Sequence, residues 1–230
     1  MKQLALYLPC CYPNEHQFFS ILDIMEKYHV DVLELGIPVA NAHMDGKIIQ
    51  NSHKQVLQQG FNKVYLNKIL QQIREKYSFK IVLMTYKDGL DKYHLLDEKM
   101  DYDGLLCVDR MITLNDFLSP IQLYNENISN ITLQEKLKNN RLFAYCMSGV
   151  GKTGSFDHVP TNYIETMQRI RKHSDLPIYV GFGIKERKDV AEVFKNGADG
   201  AIIGSYFVNK VKTSTLEEVA AYIKDLKSID

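Results

Sequence analysis

Eight short apolar runs recur along this chain, and between them the hydrophobic spacing changes from continuous to helical. The runs occupy residues 4–10, 30–36, 80–86, 102–109, 121–124, 141–146, 176–183 and 200–207. Runs of this length without polar alternation are what strands buried on both faces require. Helical spacing is clearest over 16–28, 53–76, 161–173, 186–196 and 215–226. Strand followed by helix, repeated, builds a parallel sheet with helices outside it. Spread over 230 residues, the repeat averages about 29 residues per unit, which fits a (β/α)8 TIM barrel; an open doubly wound sheet is the alternative. The connections 110–120 and 126–140 look too short for a full helix. The reading is therefore an α/β barrel with shortened connections after strands 4 and 5. No linker, low-complexity tract or charge block divides residues 1–230, which predicts one domain.

Charge narrows the class of partner. Twenty-eight basic residues balance twenty-eight acidic ones, so no net field draws the chain to nucleic acid or anionic lipid. No apolar run approaches the roughly 18 residues of a membrane helix, and the N-terminal apolar stretch is cut by Pro9 before it reaches the length of a signal-peptide core. Cys10, Cys11, Cys107 and Cys146 form no CxxC pair and sit mostly in apolar runs, as reduced buried thiols do. A cytoplasmic protein with a small-molecule substrate is expected.

Glu34 interrupts the second run as Val-Leu-Glu-Leu-Gly. A buried carboxylate is expensive. At the carboxyl end of a barrel strand, where active sites collect, an inward acid reads as catalytic; a Glu satisfied by a lysine is the structural alternative. Apolar walls would raise its pKa and suit it to give and take a proton. Asp45, in His43-Met44-Asp45-Gly46 on the loop leaving the same strand, would by itself be a turn residue. Beside a buried Glu it becomes a candidate second carboxylate, held as an anion.

Three glycine-bearing stretches follow late in the chain: Gly151 to Gly154, Gly181-Phe182-Gly183, and Gly200 to Ser205. Loops after the last barrel strands commonly hold phosphate on backbone N–H groups, so a phosphorylated substrate is predicted. Ser148 to Thr153 imitates a nucleotide P-loop, but the motif needs glycine where Cys146 stands. The seven histidines show no ligand spacing, and no metal is predicted. Tyr7, Tyr86 and Tyr145 lie near predicted strand ends and, as residues alone, read as core.

Taken together, Leu33-Glu34-Leu35-Gly36-Ile37-Pro38, Asp45-Gly46 with Gln50, Leu83 to Tyr86, Asp103-Gly104, Ser148 to Gly154, Val180 to Ile184, Gly197 to Gly200 and Gly204-Ser205 resemble the tryptophan synthase alpha chain family along nearly the whole sequence. The resemblance implies a (β/α)8 barrel that splits indole-3-glycerol phosphate into indole and glyceraldehyde 3-phosphate, with no cofactor of its own. It places the acid–base carboxylate on Glu34 and the indole-binding carboxylate on Asp45. Tyr145 and Thr153 match positions that orient that aspartate, and Thr153 falls on a closing loop. Tyr7 and Tyr86 match positions near the indole, and Gly154, Gly183, Gly204 and Ser205 match phosphate-binding positions. It also implies a beta-chain partner that carries pyridoxal phosphate, in an alpha2beta2 tetramer.

The sequence departs from the family in three places. The loop Ala40 to Lys47 keeps its aspartate but lacks a second acid and two prolines, Arg110-Met111 stands where Leu-Pro is usual, and no leading helix precedes the first strand. A catalytically weak binding subunit and a different phosphosugar barrel are the competing functional readings.

Overall fold

A computed structural model describes residues 2–97, 100–149 and 159–229. Its strands are β1 (Gln3–Pro9), β2 (Val32–Gly36), β3 (Lys80–Thr85), β4 (Gly104–Cys107), β5 (Pro120–Ile121), β6 (Leu123–Tyr124), β7 (Ala144–Met147), β8 (Ile178–Gly181) and β9 (Gly200–Ile203). All pair in parallel, in the order β5-β4-β3-β2-β1-β9-β8-β7-β6. The two ends of that order are one piece of chain. Pro120 and Ile121 pair with Leu105 and Leu106 of β4, while Leu123 and Tyr124 pair with Tyr145 and Cys146 of β7. Residues 120–124 thus join both edges, and the doubly wound alternative is excluded.

The single strand expected at 121–124 is split at Gln122, where pairing passes from β4 to β7: its carbonyl accepts from Tyr145 N–H at 3.1 Å while its own N–H donates to Asn140 Oδ1 at 3.3 Å. The Gln122 side-chain amide donates to the carbonyls of Ile112 at 2.5 Å and Asn139 at 2.9 Å, fastening the flanking connections to the barrel. The helices are α1 (Glu15–Lys27), α2 (Lys47–Gln58), α3 (Lys63–Lys76), α4 (Lys87–Tyr93), α5 (Asn130–Lys138), α6 (Tyr163–Arg171), α7 (Arg187–Lys195), α8 (Ser205–Thr213) and α9 (Leu216–Leu226).

Three sequence expectations are corrected. The helical stretch 53–76 is two helices, broken at Gly60 with φ +84° and restarted by Asn62, whose side chain accepts from the Tyr65 N–H. The connection 126–140, read as too short, holds α5, capped by Ser129 and burying only Leu133 and Leu137. The last apolar run ends as a strand at Ile203, and Ser205 opens α8. The connection 108–119, by contrast, carries no helix.

Both faces of the sheet are buried, so strand direction, not hydrophobicity, decides what enters the barrel. Leu4, Leu6 and Leu8 pack outward in the larger core with Leu33, Leu35 and the helices. Ala5, Val32, Val82, Leu106, Ile121, Phe143, Tyr145, Tyr179 and Ile202 make the inner cluster. At the amino-terminal mouth, the Phe143 and Tyr179 rings stack with centroids 4.1 Å apart. Gly200 leaves room for them, since a Cβ there would lie 2.5 Å from Tyr179. These rings fill the barrel floor from within, and Tyr179 also donates its hydroxyl to Gln3.

Candidate active site

Glu34 faces inward on β2, in register with Tyr7 of β1 and Val82 of β3. It is only 2% exposed, and its Oε1 is a buried oxygen with no hydrogen-bond partner. Burial first, and the charge of Asp45 second, push its pKa up to about 8. A carboxyl in this state is mostly protonated at neutral pH yet close to giving that proton up.

Asp45 reaches the same space from the loop between β2 and α2. Its N–H donates to the Ala42 carbonyl at 3.0 Å, and Gln50 latches the loop by donating to the carbonyls of Ala42 and Asp45. Tyr86, where β3 ends and α4 begins, donates its hydroxyl to Asp45 Oδ2 at 2.6 Å and accepts the Met44 N–H at 3.2 Å. Burial, then the charge of Asp45, holds that phenol protonated well above its ordinary range.

Tyr7 and Tyr145 complete the cluster. Both are fully buried, and the charges of Glu34 and Asp45 act on both. Glycines on neighbouring strands make room for the two rings. A Cβ on Gly36 would lie 2.3 Å from the Tyr7 hydroxyl, and one on Gly181 would lie 2.5 Å from that of Tyr145. Behind Tyr7, the buried His53 of α2 sits with Nε2 2.9 Å from the Tyr7 oxygen, and burial draws its pKa down to about 4.

A cleft next to Tyr145 is lined by Phe182, Gly183, Ile184, Lys185, Gly204 and Ser205. Phe182 and Gly183 both take positive φ, at 78° and 73°, turning the chain back at the strand end. Ser148 fastens this turn by donating its hydroxyl to the Phe182 carbonyl at 2.6 Å. Ser205 is the first residue of α8, so the N–H groups of that first turn have no intrahelical acceptor and face an anion favourably.

The glycine expectation is therefore corrected in part. Gly183 and Gly204 line the cleft, Gly181 instead clears space for Tyr145, and Gly200 lies at the opposite mouth. Thr153 and Gly154 fall outside the described residues. Two residues escaped the sequence reading. His53 lies on the buried face of α2 with Ile49, Ser52 and Val56, a spacing that marks it as inward. Lys185 follows directly on the Gly-Phe-Gly-Ile strand end. Among the described residues no cluster of three His, Cys, Asp or Glu side chains could hold a metal.

A proton-bearing carboxyl, an anchored second carboxylate and an anion cradle at one barrel mouth suit acid–base cleavage of a phosphorylated substrate. A family sequence model described as tryptophan synthase alpha chain matches residues 1–228. The chain belongs to the tryptophan synthase alpha chain family.

Among its curated relatives, the tryptophan synthase alpha chain of Thermococcus kodakarensis is 30% identical, with 97% of this chain and 95% of the relative covered. That of a Thermoanaerobacter species is 29% identical, over 99% and 94%. A tryptophan synthase complex from Pyrococcus furiosus shares 25% identity at a TM-score of 0.83, covering 99% of this chain and 98% of the other. Tryptophan synthase of Mycobacterium tuberculosis superposes with a TM-score of 0.87 at 24% identity, over 99% and 91% of the two chains, a likeness of fold. As a family member the chain is a carbon–carbon lyase of tryptophan biosynthesis that cleaves indole-3-glycerol phosphate.

Proposed function

We propose that Glu34 and Asp45 divide the chemistry of this cleavage between them. Glu34, protonated near neutral pH, delivers its proton to C3 of the indole ring, leaving a cationic ring that Asp45 stabilises by accepting the ring N–H. The carboxylate so formed at Glu34 takes the proton from the hydroxyl on the carbon attached to the ring. The carbon–carbon bond then breaks, its electron pair returns to the ring as indole, and the hydroxyl-bearing carbon leaves as the aldehyde of glyceraldehyde 3-phosphate. One group gives a proton and takes one back, which a pKa of about 8 allows at small cost in either direction.

Tyr7, Tyr86, Tyr145 and Thr153 belong to the substrate pocket in this reading. Gly154, Gly183, Gly204 and Ser205 hold the phosphate on main-chain N–H groups and a hydroxyl, with the Lys185 side chain on the same cleft. Every step is a proton transfer or a bond cleavage driven by the ring, so this chain needs no cofactor of its own; pyridoxal phosphate belongs to the partner beta chain.

The beta-chain partner, in an alpha2beta2 tetramer on this reading, has a candidate docking place at Met44 and Ile48. These two apolar side chains are exposed on either side of buried Asp45, where a docked chain would cover them and exclude water from the site. No helix among the described residues is long and apolar enough to cross a membrane; the cytoplasmic setting belongs to the proposal.

The unpartnered Oε1 of Glu34 carries the assignment. Its test is indole release by the purified chain, alone and with the beta chain of the same source. Turnover stimulated by the beta chain is expected, and its absence in both conditions would leave only a binding subunit.

A further inference from the structure

His53 stands behind the pocket and takes no part in the chemistry above. It is 3% exposed on α2, with its two ring nitrogens fixed by different partners. Nδ1 receives the main-chain N–H of Val39 at 3.4 Å, and Nε2 lies 2.9 Å from the Tyr7 hydroxyl oxygen. An N–H aimed at Nδ1 requires that nitrogen to carry a lone pair, so in the neutral ring the hydrogen sits on Nε2. Nε2 is then the donor and the Tyr7 oxygen the acceptor. The phenolic hydrogen is left over, with no other acceptor among the described residues.

Tyr7 is in register with Glu34, and its hydroxyl occupies the space over Gly36, two residues further along the same strand as Glu34. We propose that His53 is a positioning residue for the cleavage: by donating to the Tyr7 oxygen it commits the Tyr7 hydroxyl to donate into the pocket beside Glu34. The proposal rests on the assignment of Glu34 as the acid–base group.

A carboxyl that has just protonated the ring becomes an anion in an apolar setting, and a fixed hydroxyl donor is worth most at that moment. The benefit therefore falls on the reaction step more than on substrate binding. Without the Nε2–H of His53 behind it, the Tyr7 hydroxyl loses the donor that orients it and is no longer committed to the pocket.

The experiment compares His53→Leu, His53→Gln, Tyr7→Phe and the double variant Tyr7→Phe/His53→Leu, each assembled with the beta chain, by steady-state indole release. Leucine fills the space without a donor, whereas the glutamine amide places an N–H near the position of Nε2. His53→Leu is expected to lower kcat about tenfold, the worth of one well-placed hydrogen bond, with little change in KM. His53→Gln is expected to recover most of the loss, and His53→Leu to add nothing once Tyr7 is Phe.

A His53→Leu loss that is absent, that persists undiminished in the Tyr7→Phe chain, or that glutamine does not relieve would overturn the proposal. If parent and His53 variants behave as expected but Glu34→Gln keeps full turnover, the assignment of Glu34 fails and this proposal with it. Full activity of His53→Leu beside an inactive Glu34→Gln removes the proposal alone.

Discussion

Tyr86 and Asp45 meet across 2.6 Å from the ends of two adjacent strand units, the phenol donating to Oδ2 of the carboxylate. The contact ties the orientation of the Asp45 carboxylate to the end of β3 through its Oδ2. A hydrogen bond to a charged group contributes about 1.5–3 kcal/mol, so Tyr86→Phe should lower kcat/KM for indole release roughly tenfold or more. An unchanged kcat/KM would mean that Asp45 is oriented by other contacts.

Asp45→Asn separates orientation from charge. The amide keeps the size of the carboxyl and can still accept from Tyr86, but it cannot offset a positive ring. A loss of at least about a hundredfold in kcat is expected, in the range of other electrostatic groups at active sites. If kcat stays within a few-fold of the parent, the anion is not what the reaction uses.

Glu34→Gln removes the titrating group and should abolish cleavage while the chain still folds. It also has a signature in stability. In the unfolded chain the carboxyl ionises near its ordinary value of 4.5, whereas in the folded chain burial and Asp45 delay ionisation to about 8. Between those values the unfolded state binds fewer protons, so the parent loses stability as pH rises. The Tm of Glu34→Gln relative to the parent should therefore climb from pH 5 to pH 8 and level off beyond it. A difference that stays flat across this range would show that the carboxyl is not held protonated by the fold.

Much of this arrangement is legible in the residues alone, for identifiable reasons. Glu34 stands out because a charge inside Val-Leu-Glu-Leu-Gly has no cheap structural explanation. The parallel sheet follows from strand and helix in alternation. Its closure does not, because an open doubly wound sheet alternates in the same way and only the pairing of residues 120–124 with both edges decides between them. Which way each strand faces does not follow, because Ala5 and Leu6 are equally apolar to a pattern reading, yet Leu6 belongs to the larger outer core and Ala5 to the inner cluster.

The split at Gln122 and the weak α5 escape notice because both depend on contacts distant in sequence. At Gln122 the pairing passes from β4 to β7 while its side chain holds the carbonyls of Ile112 and Asn139, and α5 buries too few side chains to show a periodicity. His53 is hidden for another reason: a lone histidine at core spacing looks the same whether it merely packs or holds a tyrosine.

The glycines offer a test in which the steric change is similar and only the place differs. Alanine at Gly36 would put its Cβ 2.3 Å from the Tyr7 hydroxyl and 2.6 Å from Cζ, and alanine at Gly200 would put its Cβ 2.5 Å from Tyr179 Cγ. Each ring is rigid and buried, so each variant has to displace an aromatic side chain, at about 1–3 kcal/mol. Thermal unfolding should report comparable losses for both.

Activity measured well below either Tm should not be comparable. Gly36→Ala pushes Tyr7 away from His53 at the carboxyl-terminal mouth, whereas Gly200→Ala disturbs the stacked rings that close the other end. Gly36→Ala should cost about tenfold in kcat, the worth of the disturbed hydrogen bond, while Gly200→Ala keeps nearly full turnover per folded chain. Equal losses of turnover in the two variants would place the chemistry somewhere other than the mouth that Glu34, Asp45 and the three tyrosines share.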